Sequence, residues 1–138
     1  MDKTKDIKFL LDDLFGSIIE KIDFNTFNNT ISLTLKIIEN GKETIHNLEF
    51  KGVWSHYYIK DTSSSGIDFT ETNYLELISI DFSPNGISSI ECRSNSDEWF
   101  NSIASKANFA LEIWEGLLLI EARYIQIDNY EFELARLN

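Results

Sequence analysis

Hydrophobic and polar residues alternate most regularly between positions 30 and 51. Ile31, Leu33, Leu35 and Ile37 occupy every second position, with Ser32, Thr34 and Lys36 between them. A period of two belongs to a β-strand with one buried face. Asn40-Gly41 follows. Both central residues of a type I′ turn need positive φ, which asparagine and glycine tolerate best. A two-residue loop there sets Ile31 opposite Phe50, Leu33 opposite Leu48, Leu35 opposite His46 and Ile37 opposite Thr44. Ser32 opposite Glu49 and Thr34 opposite Asn47 share the other side, so the sequence predicts a hairpin with one apolar and one polar face.

The flanking patterns are shorter. Residues 4–15 predict a helix with Ile7, Leu10, Leu11 and Leu14 on one side, ended by Gly16. Residues 17–24 read as a strand. Residues 53–60 are extended and carry Trp54, Tyr57 and Tyr58, before a polar loop at about 61–73. Residues 74–82 predict another strand, with Ile78, Ile80 and Phe82 on one face. Ser83-Pro84-Asn85-Gly86 is a turn, because proline presets φ at its first central position. Residues 87–93 then return antiparallel. Asn95, Asp97 and Glu98 suit the start of a short helix over 97–105.

Residues 108–127 support two readings. Ala107, Ala110, Leu111, Trp114, Leu117, Leu118, Ala122 and Ile125 fit a helical period. Phe109, Leu111 and Ile113 alternate, Gly116 interrupts, and 124–127 is rich in β-formers. Two strands broken near Glu115-Gly116 are the favoured reading, with a tight turn at Asp128-Asn129 into a strand over 130–134. No repeat or glycine- and proline-rich linker divides the chain. The expectation is one domain over 1–138, β-rich α+β: a curved antiparallel sheet or β-sandwich with one or two short helices.

Charge narrows the function classes. Twelve Lys and Arg against 23 Asp and Glu give a net charge of −11. Direct binding to nucleic acid or an anionic membrane needs a cationic surface, so both partners are excluded. Acidity also serves solubility, and by itself names no partner. Residues 70–138 carry twelve of the acids and four of the cations. Cys92 is the only cysteine and reads as a buried, inert thiol. The first twenty residues intersperse charge and lack a signal peptide's apolar core, and the longest aliphatic run is only 117–120, so the cytoplasm is the expected location.

No reaction is written in the motifs. His46 and His56 belong to no HExxH, no Cys-x-x-C exists, and GxSxG and GxGxxG are absent. Ser63-Ser64-Ser65-Gly66 lacks the lysine and the context of a phosphate loop. Glu112 with Glu115, or Glu131 with Glu133, make acid pairs that any chain this acidic offers. The expectation is a non-enzymatic protein with no catalytic residues, cofactor or metal. His46 falls on the hairpin's apolar side, where a structurally satisfied imidazole is the ordinary reading.

Three stretches, 32–58 (SLTLKIIENGKETIHNLEFKGVWSHYY), 74–82 (YLELISIDF) and 108–127, resemble in order and spacing the YxiG-like family of small proteins from Bacillus and relatives. NFALEIWEGLLLIEA, at 108–122, is the most distinctive part. That family is similar to small acidic proteins encoded beside polymorphic-toxin genes, which act there as immunity factors. The resemblance therefore implies an immunity-type protein that neutralises a cognate, cationic toxin domain by direct contact. On that reading Asp61, Asp68 and Glu71 supply charge, and Tyr57 and Tyr58, beside His56, supply contacts. The alternative is a small non-enzymatic accessory or interaction domain, homo-oligomeric through an exposed strand edge.

Overall fold

A computed structural model describes residues 3–60, 75–84, 86, 107–113 and 116–134. Among these described residues one helix, α1 (Lys3–Asp12), precedes nine strands: β1 (Ser17–Asn25), β2 (Thr30–Glu39), β3 (Lys42–Lys51), β4 (Ser55–Lys60), β5 (Leu75–Phe82), β6 (Phe109–Ile113), β7 (Gly116–Glu121), β8 (Tyr124–Ile127) and β9 (Tyr130–Glu133). They form a single unclosed antiparallel sheet in the order β4-β7-β6-β5-β1-β2-β3-β8-β9. The β-rich expectation holds in this form.

The helix stops at Asp12, three residues short of the expected end. Phe15 donates its amide to the Asp12 carbonyl at 3.2 Å, and Ser17 donates to Leu14 at 3.2 Å. The chain therefore turns, and Gly16, at φ +82°, donates to the Leu77 carbonyl at 2.7 Å. Ile7, Leu11 and Leu14 are buried, so the apolar stripe does its packing within two helical turns and the residue beyond them.

The β2–β3 hairpin has the register that Asn40-Gly41 dictates, from Ile31 opposite Phe50 to Glu39 opposite Lys42. Asn40 and Gly41 both adopt positive φ, +53° and +79°. In β5 the local pattern misleads. The register shifts between Leu77 and Ser79, which turns Ile78 out to solvent and buries Leu77, Ile80 and Phe82. A bulge adds one residue to one strand, so simple alternation fails across it.

Over 109–113, 116–121 and 124–127 the structure is strand, not helix, with a break at Ala122-Arg123. Leu118 stands opposite Leu111 and Ile120 opposite Phe109, all four in the main core. Leu117 and Leu119 point to the other face and pack with Ala107. β7 is apolar on both faces because both are covered, and a fully buried strand shows no alternation.

The main core gathers one face of β1–β3 and β5–β8 with Ile7, Leu11 and Leu14, and it centres on Phe50, Phe82 and Phe109. Phe109 meets Phe50 edge-on and stacks on Phe82, both at 4.9 Å between centroids. The expected strand at 87–93, the helix at 97–105 and Cys92 lie outside the described residues. No helix among the described residues is long and apolar enough to cross a membrane.

Candidate functional site

A bulge places the exposed aromatics. β3 and β4 are one strand interrupted at Gly52, and β7 and β8 are one strand interrupted at Ala122-Arg123. Lys51 stands opposite Tyr124 and Ser55 opposite Glu121, so residues 52–54 face only 122 and 123. Gly52 sits at φ +60° and approaches Arg123 so closely that a Cβ there would lie 2.9 Å from the arginine Cβ. Arg123 donates its amide to the carbonyls of Lys51 and Gly52, at 3.1 and 3.2 Å. The Val53 amide goes to Asn29 and the Trp54 amide to Glu121, both at 2.9 Å. Beyond this point the chain has passed the end of β2, and among the described residues β4 forms an edge of the sheet.

Alternation then divides the β4 side chains. His56 and Tyr58 stand opposite Ile120 and Leu118, on the face of the main core. Tyr57 and Ile59 stand opposite Leu119 and Leu117, on the other face. Trp54, Tyr57 and Tyr58 are 56%, 45% and 51% exposed, and His56 is exposed as well. The His56 ring stacks on Phe24 of β1 at 5.1 Å and 27°. Tyr58 lies against Gly116, where a Cβ would come within 2.5 Å of its hydroxyl oxygen. Of the sequence candidates, the structure thus brings His56, Tyr57 and Tyr58 onto one edge strand, with Tyr57 on the opposite face from the other two. Asp61, Asp68 and Glu71 lie outside the described residues.

Sequence reasoning missed Phe24 and Phe27. Phe24 follows the core-side alternation of β1, but its partner comes from a strand four places away in the sheet, which no local signal reports. Phe27, 96% exposed, sits in the β1–β2 turn. There Asn25 Oδ1 accepts the amides of Phe27 and Asn28, both at 3.1 Å. An asparagine that folds back on its own turn is a recognisable signal.

His46 is occupied structurally. It stands opposite Leu35 at the rim of the core, and its Nδ1 lies 2.8 Å from Asp128 Oδ2. Its Nε2 lies 3.2 Å from Thr44 Oγ1. The other Asp128 oxygen accepts the Asn47 amide at 2.9 Å, and the Asp128 amide donates to the Asn47 carbonyl at 2.8 Å. This group latches the β8–β9 turn onto β3. Among the described residues no three His, Cys, Asp or Glu side chains gather as a metal site.

The two edges of the sheet differ in chemistry. β9 carries Glu131 and Glu133, and Lys3 Nζ donates to the Glu133 carbonyl at 2.7 Å. Arg123 reaches Glu133 at 3.8 Å, and Lys51 reaches Glu131 at 3.3 Å. Residues 53–60, VWSHYYIK, contain no carboxylate. Charges and a capping lysine blunt an edge strand; aromatics leave it receptive.

The comparisons with known proteins agree with this extent of chain. The uncharacterized protein YxiG of Bacillus subtilis (strain 168) is 29% identical over 126 residues, which cover 89% of this chain and 87% of the relative. Residues 7–132, from α1 to β9, match the family described as YxiG-like protein. With the second half of the helix, all of β1–β8 and the aromatic edge inside that match, the chain belongs to the YxiG-like family.

Proposed function

We propose that this protein is an immunity-type binding protein, which neutralises a cognate bacterial toxin domain in the cytoplasm by direct contact and without catalysis. The observation that carries the reading is the row Trp54, His56, Tyr57 and Tyr58, exposed just before and along β4 in a chain with net charge −11. Exposed aromatics supply contact area at low entropic cost, while net negative charge accelerates encounter with a cationic partner. A nuclease-type toxin presents such a cationic surface for phosphate. Asp61, Asp68 and Glu71 follow β4 directly in the chain and are assigned the electrostatic part of the contact. The Phe24–His56 stack supports the finer picture of a sheet curled into a sandwich-like body, with β4 at its rim.

The test is a search of the neighbouring genes for a toxin-like domain and co-expression with its product. Co-purification, rescue of growth and an affinity that falls as salt rises are expected. Absence of both binding and rescue overturns the reading. Reversing the charge of Asp61, Asp68 and Glu71 together is expected to weaken binding and flatten its salt dependence.

A further inference from the structure

The Asn40-Gly41 turn carries reactive groups that the fold uses only for their backbone. Asparagine is thermolabile because a main-chain amide nitrogen can attack its side-chain carbonyl carbon. That nitrogen belongs to the next residue, whose own side chain hinders the approach. Glycine removes the hindrance, and among the described asparagines only Asn40 is followed by glycine. The structure also leaves the pair open. Asn40 and Gly41 are both exposed, the ladder closes beneath them at Glu39 and Lys42, and a Cβ on Gly41 would meet nothing within 4 Å. Asn25 and Asn108, by contrast, are held: Asn25 Oδ1 accepts two main-chain amides, and the Asn108 side chain bonds Ala122.

We propose that Asn40 is a site of spontaneous deamidation, which places a new carboxylate at the tip of the β2–β3 hairpin. The Gly41 nitrogen attacks Asn40 Cγ. The new N–Cγ bond replaces the Cγ–Nδ2 bond, and the side-chain nitrogen leaves as ammonia, taking the proton that Gly41 gives up. Water then opens the cyclic imide at either carbonyl. Attack at Cγ gives aspartate. Attack at the main-chain carbonyl carbon of residue 40 gives isoaspartate, in which the chain runs through Cβ and Cγ. Every step is redox-neutral and needs only water.

The fold treats the two products differently. Aspartate fits, because Asp128 holds the first position of the two-residue β8–β9 turn at φ +53°, the value that Asn40 adopts. Isoaspartate inserts a methylene into the main chain, so the loop no longer has the geometry that a two-residue hairpin requires. The Glu39–Lys42 and Ile38–Glu43 pairs at the tip are then the first to lose register. Either product sets a carboxylate between Glu39 and Glu43 and makes the chain one unit more negative than −11. The inference goes beyond the toxin-binding reading and does not depend on it. Asn85-Gly86 is a second such pair in the sequence, but Asn85 lies outside the described residues and carries no part of the inference.

Ageing of the full chain in warm, mildly alkaline buffer, followed by peptide mapping, tests it. The peptide holding Asn40 is expected to gain the mass difference between an amide and an acid, and to split into aspartyl and isoaspartyl forms. Peptides holding Asn25 and Asn108 are expected to stay unchanged over the same period. Gly41→Ala is expected to slow the conversion about tenfold or more. Asn40→Asp is expected to melt close to the wild-type chain, and the purified isoaspartyl form to melt lower. An Asn40 that stays intact, or converts no faster than Asn25 and Asn108, overturns the proposal. So does conversion of Gly41→Ala at the wild-type rate, or an Asn40→Asp chain that melts as low as the isoaspartyl form.

Discussion

Asn108 and Ala122 bond to each other as two strand residues would. The Asn108 side-chain amide donates to the Ala122 carbonyl at 2.9 Å, and the Ala122 amide donates to Asn108 Oδ1 at 3.0 Å. Ala122 lies at the interruption between β7 and β8, where the ladder partner is missing. Both residues are buried. Asn108→Ala is expected to leave two buried main-chain groups unsatisfied and to cost about 2–4 kcal/mol. Asn108→Asp keeps the acceptor, loses the donor and buries a charge, so it should be worse at neutral pH than in mild acid. Urea denaturation of both variants at two pH values checks the order.

Two glycines with positive φ should respond differently to alanine. A Cβ at Gly52 meets the Arg123 Cβ at 2.9 Å, whereas a Cβ at Gly41 meets nothing within 4 Å. Gly41→Ala then carries only the left-handed backbone penalty, about 1–2 kcal/mol. Gly52→Ala adds a clash with a neighbour's backbone-proximal atom and disturbs the bulge that sets β4, for about 2–4 kcal/mol in all. Thermal denaturation should separate the two, and equal melting temperatures would contradict the assignment of the bulge.

The β2–β3 hairpin, β1 and the Asp128-Asn129 turn were legible because their signals are local: alternation, Asn-Gly and short turn residues. Ile78 was misplaced since a bulge has no strong sequence signature. The choice between helix and strand over 108–127 stayed open for a physical reason. Leu117, Leu118, Leu119 and Ile120 are buried on both faces, so the period that would have decided it is absent. At the site, Tyr57, Tyr58 and His56 were visible as an aromatic cluster, but their division between two faces followed only from the register with β7. Phe24 joins them through a contact between distant strands, and Asn108 and Gly52 act through a kink that no local pattern announces.

Asp128 holds positive φ, +53°, while bonding both His46 and the Asn47 amide. Asp128→Asn retains an acceptor and tolerates that backbone, so a loss under about 1 kcal/mol is expected. Asp128→Ala loses both bonds and adds strain, for about 2–3 kcal/mol. His46→Ala removes the partly exposed contacts to Asp128 and Thr44 but leaves the Asp128–Asn47 bond and the backbone unstrained, and should fall between them. Chemical denaturation of the three variants gives the ranking.

Lys36 lies 2.9 Å from Glu20 on the solvent face. Its pKa is raised above the ordinary lysine value, first by the hydrogen bond to Glu20 and then by that carboxylate's charge. A raised pKa in the folded state gives stability that is fully present below the unfolded lysine pKa. It is lost as pH rises through the folded value. The wild-type chain should therefore lose this contribution only in the alkaline range, and Glu20→Gln should flatten the stability profile there while leaving the acid side to other groups. Melting temperatures from neutral pH into the alkaline range check the sign.

Gly116 and Tyr58 make the last test, because it separates the position of an aromatic from its presence. A Cβ at Gly116 would lie 2.5, 2.7 and 2.8 Å from the hydroxyl oxygen, Cζ and Cε2 of Tyr58. These atoms end a flexible side chain, so the ring can swing aside and the fold is expected to survive. An aromatic covering a cross-strand glycine is a recurring device, and alanine abolishes the seat without removing the ring. Stability should change by no more than about 1 kcal/mol, since alanine regains backbone entropy while the ring loses its contact. Binding of the cognate toxin domain should nevertheless weaken toward the level of Tyr58→Ala if the seated ring is what the partner recognises. Unchanged affinity in Gly116→Ala, with Tyr58→Ala impaired, would mean that the partner reorients Tyr58 on contact and that Gly116 serves packing alone.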